Sequence, residues 1–199
     1  MKSIYLVRHG ETELNLKKVY YGRIDCSLTE KGISQAKSLQ PFFSRVEPLL
    51  VYTSPLLRAI HTADLLLGET KAARLTDERL NELSFGAWEG KHYESLKGDP
   101  LYQKWCEDWR HQSPPAGESF ADMAKRTRSF FDALQKREEE TILIVSHHAV
   151  LQQLMAYFLE EPADHCWHYA FSQGTYSEFS VSADFAVLKG HNVVPFSEN

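Results

Sequence analysis

The stretch SIYLVRHG, residues 3–10, passes from an apolar strand straight into charge. Residues 3–7 read as a short buried strand. Arg8 and His9 stand at its exit. Gly10 lets the backbone approach a ligand closely or take a conformation closed to other residues. In open α/β sheets ligands bind beyond the carboxyl ends of the strands. A strand that ends in a cation and an imidazole therefore predicts both a sheet and a site.

Two further segments repeat this pattern. TILIVS (141–146) predicts a central buried strand that ends at His147 and His148, with a helix over AVLQQLMAYFL (149–159). LVYT (50–53) predicts a strand followed by a helix over SPLLRAIHTADLLLG (54–68). There Ser54 is the expected N-cap, Pro55 the first helical residue and Gly68 the residue past the end. Arg58 falls in that helix's first turn.

Working outward, LTEKGISQAKSLQ (28–40) predicts a helix capped by Thr29 and ended or kinked at Pro41. In SFADMAKRTRSFFDALQK (119–136), Phe120, Met123, Thr127, Phe130 and Leu134 recur at helical spacing. GTYSEFSV (174–181) and DFAVLKG (184–190) predict two strands, turning around Ser182–Ala183, as an antiparallel edge. Alternating strands and helices predict an α/β fold, a three-layer α/β/α sandwich with a mostly parallel sheet. One domain over residues 1–199 is expected. Residues 85–118 match neither period and read as a lid or substrate loop.

The 199 residues carry a formal net charge of −5, so no global basic surface points to nucleic acid or a membrane. Any anion site must be local. Cys26, Cys106 and Cys166 are odd in number and far apart, which predicts free thiols in a reducing compartment. With no signal peptide and no long apolar run, the expected address is cytoplasmic.

A cation in a helix's first turn faces the positive end of the dipole and is unfavourable unless an anion sits there. Arg58 alone reads as an exposed arginine. Together with Arg8 at a second strand exit and a helix N-terminus, it reads as a phosphate clamp. His9 is a competent nucleophile toward phosphorus when one ring nitrogen is free and the other donates to a backbone carbonyl. His147 offers a further donor from another strand end. At most one of His147 and His148 is expected to face the same ligand, because adjacent residues leaving a strand point apart. In LNELSFGAWEG (80–90), Glu82 sits among apolar neighbours, where burial favours the protonated acid. Spacing does not separate it from Glu89.

The blocks RHGETELN, SPLLRAIHTA, LNELSFGAWEG and IVSHHAV, in that order, resemble the signature blocks of the histidine phosphatase (phosphoglycerate mutase-like) superfamily. The resemblance implies the fold of that family and a phosphohistidine mechanism needing neither metal nor cofactor. In it His9 attacks phosphorus, and Arg8, Arg58 and His147, with help from Asn15, bind the non-bridging oxygens. Glu82 handles the leaving-group proton, and Asn15, Tyr21, Gly22 and His148 contact the substrate. One departure stands out: the family commonly has glycine where this chain has His148. Its side chain is expected to point outward, with a narrowed pocket as the alternative.

The implied partner is a small-molecule phosphate ester, and the oligomeric state is open. Finer resemblance through LTEKGISQAK, KWCEDW and WHYAFSQGTYS is to members that release a 5′-phosphate from a ribosylated heterocyclic base. Trp88, Tyr93, Tyr102, Trp105 and Trp109 could stack on such a base, or pack the loop against the core. A broad sugar-phosphate phosphatase or a mutase is the alternative enzyme. An inactive phosphate-binding module and a metallohydrolase complete the field. The last is disfavoured because no HxH or HxxxH pair occurs and His92, His111 and His168 lack ligand spacing.

Overall fold

The computed structural model describes residues 1–182 and 184–195. Strand β1 (Lys2–Arg8) opens the chain, followed by helices α1 (Glu13–Leu16), α2 (Glu30–Ser38) and α3 (Gln40–Val46). Then come β2 (Leu50–Thr53), α4 (Leu57–Leu67) and β3 (Ala73–Thr76). Helices α5 (Tyr93–Leu96), α6 (Pro100–Glu107) and α7 (Phe120–Gln135) lead to β4 (Thr141–Ser146). Helix α8 (His148–Phe158) and strands β5 (Tyr176–Val181) and β6 (Ala186–Val193) complete the described chain.

The sheet order is β3-β2-β4-β1-β5-β6. The first four of these strands pair in parallel, and β5 and β6 add the antiparallel edge. This is the expected architecture. Alternation along β1 and β4 sends Ile4, Leu6, Ile142 and Ile144 into a core under α7 and α8. Tyr5, Val7, Leu143 and Val145 face a second core under α3 and α4. Both faces are covered, which is why the two central strands read as unbroken apolar runs. Ala183, half of the expected turn at Ser182–Ala183, lies outside the described residues.

Two local expectations need correction. Ser54 does not cap α4, which begins at Leu57 after an extended Leu56. The Ser54 hydroxyl instead donates to Asn81 Oδ1 at 2.8 Å and accepts from the Leu56 N–H. The N–H of Leu57 is satisfied at a distance, by Asp25 Oδ1 at 2.9 Å. Pro41 does not only end a helix: α2 stops at Ser38 and Pro41 sits in the first turn of α3, where its missing N–H costs nothing. Strand β3, exposed along its length, has no counterpart among the expected strands.

Segment 85–118 is closed on itself. The Ala87 N–H donates to the Pro115 carbonyl at 2.8 Å and the Glu118 N–H to the Ser84 carbonyl at 3.1 Å. Gly86 has φ of +50°, and a Cβ there would lie 2.2 Å from the Pro115 oxygen. Inside the loop, Trp88, Leu96 and Tyr102 form a small core with Tyr20, Phe85 and Trp105 against it. Trp109 packs on Phe120 and Trp167, while Tyr93 is exposed. Packing thus accounts for most of the aromatics considered for base stacking.

Candidate active site

β1 and β4 are adjacent and in register, with Arg8 opposite Ser146. Their exits therefore bring His9 and His147 together. The two rings are 5.1 Å apart between centroids, tilted by 57°, and both residues are buried. The His9 N–H donates to the Ser146 carbonyl at 3.0 Å, which extends the ladder by one step. His9 Nδ1 lies 2.8 Å from the Gly10 carbonyl, an acceptor only, so Nδ1 carries the proton and Nε2 keeps a lone pair.

Packing alone requires a glycine at position 10. A Cβ on it would lie 2.4 Å from the Gly32 carbonyl oxygen of α2, and its N–H donates to Thr62 Oγ1 at 3.0 Å.

Arg58 is fully buried in the first turn of α4. Its Nε donates to His147 Nδ1 at 3.2 Å, its Nη1 to the Ile24 carbonyl at 2.9 Å and its Nη2 to the Gly22 carbonyl at 2.8 Å. The guanidinium also stacks over Tyr21, 4.9 Å from the ring centroid. Because His147 Nδ1 accepts from a cation, its proton is on Nε2. Among the described residues that Nε2, which is buried, has no acceptor, and neither has Arg8 Nε. Arg8 Nη1 is held by the Phe171 carbonyl at 2.8 Å.

Burial, then the charges of Arg58 and Arg8, hold the His9 imidazole well below its ordinary 6.5. Burial, then Arg58, His9 and Arg8, do the same to His147. Both rings are therefore neutral at pH 7. Two guanidinium groups, a neutral imidazole with a free Nε2 and a second imidazole with an orphaned Nε2–H can bind a tetrahedral oxyanion and attack it.

The structure separates the two carboxylates that spacing left open. Glu89 accepts from the N–H groups of Arg23, Ile24 and Phe85 at 2.8, 2.7 and 3.2 Å, so it staples a loop. Glu82 is half-buried and accepts from the N–H of Ala149 at 3.3 Å, in the first turn of α8 beside the histidines. Its backbone is fixed by Arg126, whose Nη2 donates to the Glu82 carbonyl at 3.1 Å.

His148 corrects the expectation that it points outward. The residue is half-buried, its Nδ1 is buried with no hydrogen-bond partner among the described residues, and the ring lies near Arg8, Glu82 and the Phe171 carbonyl. Burial and Arg8 lower its pKa, partly offset by Glu82. The rule that neighbours leaving a strand diverge fails because β4 ends at Ser146, so His147 and His148 belong to a helix start.

Asn15 lies in α1, where its Oδ1 accepts from the N–H of the N-cap Thr12 and from Gln173 Nε2 at 3.0 Å. Tyr21 lies under Arg58, with its hydroxyl 3.2 Å from Thr12 Oγ1. Gly22 supplies a carbonyl to Arg58, and a Cβ on it would lie 1.8 Å from the Leu83 oxygen. Asp25, Thr62, Arg126 and Gln173, which sequence reasoning missed, orient these groups from distant segments. Nothing in their local sequence distinguishes them.

The model of the histidine phosphatase superfamily (branch 1) matches residues 4–194. The adenosylcobalamin/alpha-ribazole phosphatase of Salmonella typhimurium is 39% identical over 189 residues, 94% of each chain. Its Escherichia coli counterpart is 36% identical over 94% of this chain and 93% of its own. The crystal structure of the alpha-ribazole phosphatase from Shigella flexneri superposes with a TM-score of 0.93 at 36% identity, covering 99% of this chain and all of the other.

Proposed function

The chain belongs to the histidine phosphatase superfamily (branch 1), and from that premise we propose that it hydrolyses the phosphate monoester α-ribazole 5′-phosphate through a phosphohistidine on His9. The observation that carries the reading is the orphaned pair of buried donors, Arg8 Nε and His147 Nε2, beside the free Nε2 of His9. A buried donor without an acceptor costs about 1–3 kcal/mol, which a bound phosphoryl oxygen would recover.

The neutral His9 Nε2 attacks phosphorus in line with the ester oxygen. The P–N bond forms as the P–O bond breaks, and Glu82 gives its proton to the departing alkoxide. Arg8, Arg58 and the Nε2–H of His147 hold the non-bridging oxygens as their charge shifts. Water then attacks the phosphoryl group, and the Glu82 carboxylate takes its proton. The P–N bond breaks, phosphate leaves and His9 is neutral again. Arg58 binds one partner that also fixes its geometry: its Nε locks His147 in the tautomer that presents Nε2–H. His148, beside Arg8 and Glu82, borders the site on the side where the acid acts.

A substrate panel tests the reading. The expected result is that α-ribazole 5′-phosphate is hydrolysed with a kcat/KM far above those for 3-phosphoglycerate, phosphoserine and fructose bisphosphate. Equal or better turnover of any of these would replace the proposed substrate. The site chemistry would stand as long as an acid-labile phosphoenzyme formed on His9.

A further inference from the structure

Past the far end of α8, the segment EPADHCWH (161–168) folds into a 3-10 turn over Ala163–His168. It places one donor atom each from Glu161, His165 and His168 within 4.8 Å of one another. His165 Nδ1 is 3.9 Å from Glu161 Oε2, too far for a hydrogen bond, and the two imidazole rings lie 5.3 Å apart. Glu161 Oε2 is itself buried and, among the described residues, has no hydrogen-bond partner. A desolvated carboxylate oxygen with no donor is costly, and two imidazoles beside it supply nitrogen ligands.

The turn that presents these groups is held from several sides. The Glu161 N–H donates to the Ala156 carbonyl and the His165 N–H to the Pro162 carbonyl, each at 2.9 Å. Gln153 Nε2 reaches the Ala163 carbonyl at 2.6 Å from inside α8. The phenol of Tyr169 lies beside the Glu161 carboxylate and, chiefly through burial, is pushed up to about 12. Cys166 is not part of the set: it is buried on the core side of the turn, where desolvation pushes its thiol up to about 11.

We propose that Glu161, His165 and His168 form a site for a divalent transition-metal ion of the zinc class, with water completing the coordination. Two imidazole nitrogens and one carboxylate oxygen suit zinc, and not calcium or magnesium, which take oxygen sets. Donors around tetrahedral zinc lie roughly 3.3 Å apart, given bonds of about 2.0 Å. The two exposed rings would turn about their side-chain torsions to close the gap from 4.8 Å. The E-x3-H-x2-H pattern contains no HxH or HxxxH pair. The ion would clamp the turn that leads to Phe171, whose carbonyl holds Arg8. It stands apart from the phosphoryl chemistry.

Calorimetric titration of the metal-stripped full chain with zinc chloride, in phosphate-free buffer, tests the site. The chains compared are wild type, H165A, H168A, E161Q and H9A, the last reporting any capture of zinc by the histidines of the phosphate site. The expected result is one zinc per chain whose affinity falls at least about tenfold in H165A, H168A and E161Q but not in H9A. Zinc should also raise the melting temperature of the wild type and not of H165A or H168A, while zinc-free phosphatase turnover stays unchanged in those two variants. His165 and His168 are exposed, so either variant alone carries the test if the other fails to fold. Zinc affinity equal to wild type in both histidine variants, or lost only in H9A, overturns the proposal.

Discussion

His9 and His147 face each other across 5.1 Å in opposite tautomers. The Gly10 carbonyl fixes the proton of His9 on Nδ1, and Arg58 Nε fixes that of His147 on Nε2. One ring therefore offers a lone pair and the other a donor, from residue types that are chemically identical.

Removing the donor separates the two roles. H147A is expected to lower kcat by about 10² to 10³, the usual cost of one oxyanion donor, with a smaller change in KM. Steady-state kinetics measure it. A pure KM effect would mean that His147 contributes only to ground-state binding.

The nucleophile admits a sharper test. H9A should abolish turnover and leave no acid-labile, alkali-stable phosphoenzyme after rapid quench with labelled substrate. Retained activity would remove His9 from its proposed role.

For the carboxylic acid, leaving-group chemistry is the diagnostic. E82Q should reduce turnover of an alkyl phosphate by roughly 10² to 10⁴, and far less for formation of the phosphoenzyme from p-nitrophenyl phosphate, whose leaving oxygen needs no proton. Equal losses on both substrates in the burst phase would point to another acid.

The pH dependence of stability follows from the two buried rings. Both have folded-state pKa values below the ordinary 6.5, so the unfolded chain binds more protons as the medium turns acid. Their contribution is complete above about pH 6.5 and is lost as pH falls from there through the folded values. Urea midpoints measured between pH 8 and 5 should drop below 6.5 in the wild type and less steeply in H147Q. Parallel curves would contradict the assignment.

Close packing at the strand exit predicts a backbone-limited substitution. In G10A the new methyl would sit 2.4 Å from the Gly32 oxygen, and backbone cannot swing aside as a side chain can. The expected loss is about 1–3 kcal/mol of stability, typical of overpacking, together with reduced activity, since Gly10 holds the His9 tautomer. Denaturant melts and kinetics on the same sample check both.

The sequence by itself determined the strands at 3–7, 50–53 and 141–146, the capped helix at Thr29, the long amphipathic helix before β4 and the placing of Arg8, His9 and His147 at strand exits. Each of these rests on local physics: an apolar run buried on both faces, a hydroxyl that caps, a period of 3.6. Only the tertiary structure decided between Glu82 and Glu89, turned His148 inward, handed the start of α4 to Asp25 and set the tautomers of His9 and His147. The hydrogen bonds that single out Glu82, start α4 and set the His147 tautomer join residues 32 to 89 positions apart, and a hydrogen bond between distant segments leaves no mark on the neighbouring residues of either one.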